Sequence, residues 1–136
     1  MEKRHIVLDT ETTGLDVEKG HRIIEIGGVV MNGRKKTTET FHVYINPQRE
    51  IDKEAQEVHG ISIEDLQDKP LFSEIAEDLL EFIDGSTLVI HNADFDVGFL
   101  DAELKIASST YPSISDICEV KDTLACLLYT SPSPRD

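Results

Sequence analysis

Acidic side chains near the start of the chain have the type and spacing of a metal-dependent hydrolytic site. Asp9 and Glu11 stand two residues apart, directly after a short apolar run at residues 6–8. Alternate residues of a strand face the same side, so these carboxylates should project together and repel unless a cation lies between them. Carboxylate oxygens favour hard ions such as Mg²⁺ or Mn²⁺ over zinc. A lone D-x-E pair is more often an acidic turn.

The residues around this pair could hold a substrate. Thr12, Thr13 and Gly14 follow Glu11 and would provide hydroxyls, backbone N–H groups and a tight turn beside the metal. Together with Thr10, they are our candidate binding residues for a nucleotide end. The competing interpretation is an acidic turn capped by threonines.

A second polar segment, residues 91–96, follows the apolar run at 88–90. Loops at the carboxyl ends of neighbouring strands meet at one cleft, which makes Asp96 the candidate third metal ligand. Asn92 could hold the loop by hydrogen bonds, and Phe95 is a candidate substrate contact that is equally a core residue. We expect Asp94 to help cap the following helix and Asp101 to be a solvated helix acid.

Hydrophobic periodicity predicts the elements that position these groups. The predicted strands are 6–8, 23–31, 38–45, 88–90 and about 117–120, and Asn32-Gly33 predicts a hairpin between the second and third. The predicted helices are 53–58, with Asp52 as its cap and Gly60 closing it, 73–83, with Ser73 as its N-cap, 95–105, and one that begins near Asp122. Strands alternating with helices predict an α/β fold with a mixed sheet flanked by helices.

Composition limits the classes of function. A formal charge of -14 argues against a protein that holds nucleic acid through a basic surface. Cations held by carboxylates would meet a phosphate substrate locally instead. Cys118 and Cys126 have no zinc-site spacing, so we expect reduced thiols. The start of the chain resembles neither a signal peptide nor a membrane span, which predicts a cytoplasmic protein with no membrane partner.

The last residues depart from this pattern. Residues 126–136 read CLLYTSPSPRD, which interrupts the helix expected from Asp122 with Ser-Pro-Ser-Pro. This stretch resembles the translation of a sequencing-library transposase adapter. We therefore divide the chain into one domain at 1–125 and a non-native tail at 126–136; a natural disordered terminus is the alternative.

Seven blocks resemble the DnaQ-like 3′-5′ exonucleases in order and spacing, and look most like the epsilon-type proofreading subunits of bacterial DNA polymerase III. The blocks are DTETTG (9–14), HRIIEIG (21–27), FHVYINP (41–47), VHGIS (58–62), DKPLF (68–72), LVIHNADFDVGFLDAE (88–103) and VKDTLA (120–125). The resemblance implies a ribonuclease-H-like fold and four acids, named DEDD, that bind two Mg²⁺ or Mn²⁺ ions. Asp9 and Glu11 match the first motif, and Asp96 matches the second.

The resemblance also implies a function: release of nucleoside monophosphates from a single-stranded or frayed DNA 3′ end, as proofreading during replication. One ion would activate water and the other would stabilise the leaving oxygen. The implied partners are the polymerase III catalytic subunit and a small accessory subunit. His59 matches a family position near the nucleotide end, and Asp122 matches a supporting acid near the site, although both fit structural roles equally well.

The family's third motif, a His or Tyr followed by the last Asp, has no match in these 136 residues. No general base is therefore assigned, the fold should be incomplete at its C-terminus, and we expect little or no activity from this chain as it stands. Two alternatives stay open. One is an RNA-trimming exonuclease resembling ribonuclease T or oligoribonuclease, and the other is a non-catalytic module that docks on a polymerase.

Overall fold

A five-stranded mixed sheet forms the centre of the structure, a computed structural model that describes residues 4–32, 35–91 and 93–122. The strands are β1 His5–Thr12, β2 Ile23–Asn32, β3 Lys35–Tyr44, β4 Thr87–Ile90 and β5 Glu119–Asp122. Their order across the sheet is β3-β2-β1-β4-β5. Strand β1 runs antiparallel to β2 and parallel to β4. The predicted α/β class with a mixed sheet is confirmed.

Helices cover one face of this sheet. They are α1 Lys53–His59, α2 Ile63–Leu66, α3 Phe72–Ile83, α4 Ala93–Ala107 and α5 Ile114–Ile117, with a 3₁₀ turn at Val17–Lys19. Alternation along β1 sends Ile6 and Leu8 into a core shared with α3 and α4. Val7 faces away from that core and is 44% exposed, although it belongs to the central strand.

The predicted boundaries differ from the structure near the end of the described chain. The expected strand at about 117–120 is β5 at 119–122, and the unpredicted helix α5 precedes it. At the start of α5, Asp116 Oδ2 accepts a hydrogen bond from the Ser113 N–H at 3.2 Å, and Asp101 Oδ1 accepts one from the Ile114 N–H at 2.8 Å. The helix expected from Asp122, like residues 33–34 of the predicted hairpin turn, lies outside the described residues.

Two predicted helix starts were wrong. Helix α3 begins at Phe72 because Glu74 Oε1 accepts a hydrogen bond from the Leu71 N–H at 2.8 Å, so Ser73 is not its N-cap. Helix α4 begins at Ala93 rather than Phe95. Helix α1 ends at Gly60 as predicted, with a φ of 72° that glycine adopts without strain.

Asp52 precedes α1 as predicted, but its side chain makes no capping hydrogen bond. Its carboxylate instead faces the ring of His21, with Asp52 Oδ2 at 3.3 Å from His21 Nε2. The predicted cap is therefore used for a tertiary contact.

Two features of the sheet prepare the site. The β1–β2 register shifts between Glu11 and Thr12, so a bulge lies directly after the second acid. Such irregularities redirect side chains and are common beside active sites. Because β4 is parallel to β1, helix α4 starts at the edge of the sheet where β1 ends. Within the described ranges, no helix is long and apolar enough to cross a bilayer.

Candidate active site

Three carboxylates from two segments influence one another where β1 ends and α4 begins. Burial and the negative charge of Asp9 raise the pKa of Asp96 to about 7, and Glu11 contributes further. Burial and Asp9 also raise the pKa of Glu11. Thr10 faces the Asp96 carboxylate and offsets part of the shift. The structure thus brings the predicted third acid into electrostatic reach of the first pair.

The donor atoms fit a hard cation in chemistry and charge. Thr10 Oγ1 and Asp96 Oδ2 are buried, and neither has a hydrogen-bond partner in the part of the chain that the structure describes. An unpaired buried carboxylate oxygen is costly, and a divalent cation would relieve that cost. No three His, Cys, Asp or Glu side chains of the described residues form a closed metal cluster, however. The carboxylates would have to move closer together to share one ion.

A groove of about 370 Å³ opens beside Glu11, which is part of its lining. One wall is the end of β1 with the turn that follows it, and the other is α1. Leu15 and Val58, one on each side, are 85% and 84% exposed. A small cavity with acids at one end and exposed apolar side chains at its rim suits a ligand with a polar and a flat apolar part.

Most of the predicted substrate-binding residues line this groove: Thr10, Thr12, Gly14, His59 and Phe95. Thr12 Oγ1 donates to the Gly14 carbonyl oxygen at 2.7 Å and so stabilises the turn. The Phe95 ring packs on Phe99, with ring centroids 4.8 Å apart, while still facing the groove. Asn92 lies outside the described residues.

Thr13 does not line the groove, because its side chain is fully buried. Its hydroxyl contacts His21 Nδ1 at 2.8 Å and accepts a hydrogen bond from the Arg22 N–H at 3.0 Å. Sequence reasoning did not single out His21, which also lines the groove, because nothing in the chain pattern pairs it with Thr13 or Asp52.

Of the other acids near the site, Asp122 and Asp101 have structural partners. Asp122 Oδ2 accepts a hydrogen bond from the Ala93 N–H at 3.1 Å and so holds the start of α4, the helix that carries Asp96. Asp94, which we expected to help cap this helix, is exposed in its first turn. The expectation that Asp101 is a solvated acid was wrong, since it caps α5.

Helix α4 is also fixed to the start of β2 by a buried ion pair that the sequence did not reveal. Glu103, 1% exposed, accepts hydrogen bonds from Arg22 Nε at 2.9 Å and Arg22 Nη2 at 2.7 Å. It also accepts from the Ile23 N–H at 2.8 Å. The hydrogen bond to Glu103 raises the pKa of Arg22. This bidentate contact fixes the distance between α4 and the β1–β2 pair.

A fourth acidic side chain lies opposite Glu11 on the neighbouring strand. Glu25 pairs with Glu11 in the β1–β2 register and contributes to its raised pKa. Its carboxylate contacts His42 Nε2 at 2.6 Å, and its charge raises the pKa of Tyr44. Glu25 is therefore already partnered and adds to the negative potential around Glu11.

Comparison with known proteins gives one family. The family model described as "Exonuclease" matches residues 6–133. The matched range runs past Ala125, and the origin of residues 126–136 stays a prediction. DNA polymerase III subunit epsilon of Rickettsia typhi is 50% identical over 132 residues, which is 97% of this chain and 58% of that protein. This chain thus spans little more than half the length of the curated relatives it matches.

Solved structures agree with this assignment at the level of the fold. Exonuclease I of E. coli, in complex with a dA16 oligonucleotide, has a TM-score of 0.80 at 14% identity over 93% of this chain and 29% of that one. Exonuclease X, in complex with 5′ overhanging duplex DNA, has a TM-score of 0.67 at 26% identity over 96% of this chain and 68% of that one. The fold is ribonuclease-H-like, as the resemblance implied, and the chain belongs to the exonuclease family.

Proposed function

We propose that this chain is the greater part of a 3′-5′ exonuclease domain that removes nucleoside monophosphates from DNA 3′ ends as proofreading during replication. The observation that carries the proposal is the electrostatic coupling of Asp9, Glu11 and Asp96, of which Glu11 lines a nucleotide-sized groove. The epsilon-subunit relatives at about 50% identity support the replicative role.

The groove would take the terminal nucleotide. Leu15 and Val58 offer apolar contacts to a base at the rim, because every base has an apolar face whatever its identity. Thr12 and Gly14 hold the turn beside the phosphate, and His59 lies across the groove from them. These residues would contact the DNA backbone and the face of the terminal base, and not the base edges that differ between nucleotides. Removal of any mispaired nucleotide requires such binding without sequence preference.

Asp9, Glu11 and Asp96 would hold divalent cations, and we propose a pair of Mg²⁺ or Mn²⁺ ions as in two-metal nucleases. Such ions supply water activation and stabilisation of the leaving oxygen when bound. The protein's own contribution is the concentration of negative charge at this edge and the buried Asp96 Oδ2, which has no hydrogen-bond partner among the described residues. The charge of Asp9 raises the pKa of both Glu11 and Asp96. This exposed carboxylate is the proposed ligand shared by the two ions.

The fourth acid and a general base have no counterpart in these 136 residues, so we propose that the chain by itself has little or no nuclease activity. Asp9, Glu11 and Asp96 would still bind cations, and the groove would still bind a nucleotide. The polymerase III catalytic subunit, a small accessory subunit and a cytoplasmic location belong to the same proposal and rest on the epsilon-subunit relatives.

Cation binding by the 136-residue chain tests the proposal directly. Mn²⁺ should bind to the chain, with thymidine 5′-monophosphate binding only in its presence, as measured by calorimetric titration. Replacing both Asp9 and Glu11 by Ala should abolish both, whereas Asp94→Ala removes one exposed charge on α4 and should leave them unchanged. Equal Mn²⁺ affinity in the double variant would contradict the proposal.

Activity tests separate the alternatives. The 136-residue chain with Mn²⁺ should leave a single-stranded oligonucleotide intact, and brisk digestion would show that no further motif is needed. The uninterrupted gene product, read through beyond Ala125, should then be offered matched DNA and RNA oligomers. Faster trimming of RNA would favour the RNA exonuclease, and absence of any hydrolysis would favour the non-catalytic module.

A further inference from the structure

A buried chain of polar contacts runs beneath the turn that follows the acids of β1. The Arg22 N–H donates to Thr13 Oγ1 at 3.0 Å, and Thr13 Oγ1 lies 2.8 Å from His21 Nδ1. On the other side of the ring, His21 Nε2 lies 3.3 Å from Asp52 Oδ2. Thr13 is fully buried and His21 is 7% exposed, so water has little access to these contacts.

The contacts determine which ring nitrogen carries the proton. A carboxylate offers no proton, so the His21 nitrogen that faces it, Nε2 at 3.3 Å from Asp52 Oδ2, is the protonated one. Nδ1 then accepts from the Thr13 hydroxyl, whose oxygen in turn accepts from the Arg22 N–H. A proton on Nδ1 alone would leave the Nε2 lone pair facing the carboxylate. Each donor therefore meets an acceptor only with the Nε2–H tautomer.

The ring also fills the space beneath Gly14. A Cβ at that position would lie 2.4 Å from the His21 ring atoms, closer than real side chains approach. The turn thus rests on the His21 ring, and the ring itself is held by Thr13 and Asp52. Glycine is required at position 14 because of this close approach.

These contacts connect the two walls of the groove. Asp52 stands at the start of α1, and its N–H also donates to the Thr13 carbonyl oxygen at 2.8 Å. At the other end of α1, His59 Nδ1 accepts from the Ile61 N–H, so His59 Nε2 donates to the Thr12 carbonyl oxygen at 3.2 Å. Helix α1 is therefore attached to the turn at both ends, and His21 makes the buried part of that attachment.

We propose that His21 is a positioning residue that sets the width of the groove by holding the Thr12–Gly14 turn against Asp52 at the start of α1. It acts on a bound nucleotide through these neighbours and not by carrying out chemistry. This inference rests on the proposed nucleotide-binding function for its effect on ligand affinity, but the buried contacts can be tested without any ligand.

The ligand-free test uses nuclear magnetic resonance of the 136-residue chain. The ¹⁵N shifts of the His21 ring should show the Nε2–H tautomer. Asp52→Ala should displace the amide signals of Thr13 and Gly14, whereas Glu57→Ala, which removes another exposed acid of α1, should not. An Nδ1–H tautomer, or unchanged turn signals in Asp52→Ala, would overturn the proposal whether or not the chain binds nucleotides.

The ligand test measures the affinity for thymidine 5′-monophosphate in saturating Mn²⁺. Asp52→Ala and His21→Ala should each weaken binding roughly tenfold, the size expected for loss of one polar contact to a charged group, and the double variant should be no worse than either. His21→Gln keeps a donor that can reach Asp52 and should recover part of the affinity. Direct contact between Asp52 and the nucleotide phosphate predicts the opposite, because removing a negative charge would then tighten binding.

The outcomes separate this inference from the proposed function. If the unaltered chain binds no nucleotide but shows the expected tautomer and turn displacement, the nucleotide-binding proposal fails and the positioning contacts stand. If it binds nucleotide and both Asp52→Ala and His21→Ala bind equally well, the positioning role fails and the proposed function stands. Should His21→Ala fail to fold, Asp52→Ala gives the same readout from a half-exposed side chain.

Discussion

Asp96→Asn should increase the free energy of unfolding of the metal-free protein relative to the unaltered chain, and this increase should be larger at neutral pH than at acidic pH. Burial and the charge of Asp9 raise the pKa of Asp96 from 3.8 to about 7 in the folded protein. Between these values the folded state holds a proton that the unfolded state has released. The contribution of Asp96 to stability therefore falls as the pH rises through this window, and it is constant above it.

The size of the effect follows from the shift. About 3 pKa units correspond to at most about 4 kcal/mol at high pH, since each unit is worth about 1.4 kcal/mol. Asn has the shape of Asp without the titratable proton, so Asp96→Asn should gain about 2 kcal/mol relative to the unaltered chain between about pH 5.5 and about pH 8.

Urea unfolding with a chelator present measures this difference at each pH. The difference between the two proteins isolates Asp96, because all other titrating groups are common to both. Asp94→Asn is the matched control, since it removes an exposed carboxylate from the same turn of α4. A difference that stays constant with pH, or that grows more negative for Asp96→Asn above neutrality, would refute the assignment of the raised pKa. With saturating Mn²⁺ the order should reverse, because the ion would stabilise only the carboxylate.

Three further substitutions test the contacts that hold the site. Glu103→Ala should lower the free energy of urea unfolding by about 3 kcal/mol, because it leaves the Arg22 guanidinium and a buried N–H without their acceptor; a loss within about 0.5 kcal/mol, the size of a surface substitution, would argue against the buried pair. Gly14→Ala should lower the melting temperature through the 2.4 Å clash with the His21 ring, and the same substitution should lower it little in a His21→Ala variant. An equal decrease with and without the His21 ring would exclude the clash. Asp101→Ala should cost about 1 kcal/mol in urea unfolding by uncapping α5, and Asp101→Asn should recover most of it; no recovery would mean that packing and not capping is affected.

Much of the fold could be predicted from local patterns. The apolar run of β1, the period-two alternation of β3 and the apolar spacing of α3 reflect which side chains can be buried at once, and that requirement acts residue by residue. Boundaries were harder to predict where a distant side chain decides them. Helix α5 has a local capping signal in Ser113 and Asp116, but the hydrogen bond from the Ile114 N–H to Asp101 of α4 follows from no spacing rule.

The sequence by itself determined the class of chemistry. The side chains of Asp9, Glu11 and Asp96 are acids in any fold, and their positions after apolar strands direct them to one edge of a sheet. The blocks around them, taken together and in their order, indicate the exonuclease family, which no single motif does.

The tertiary structure alone decided how those acids behave and what supports them. The raised pKa of Asp96 depends on burial and on Asp9, which is distant in sequence, because desolvation and Coulomb energy are functions of distance in space. The placement of His21 between Thr13 and Asp52 is of the same kind. Such contacts bring together residues that no period along the chain connects, so only the folded chain reveals them.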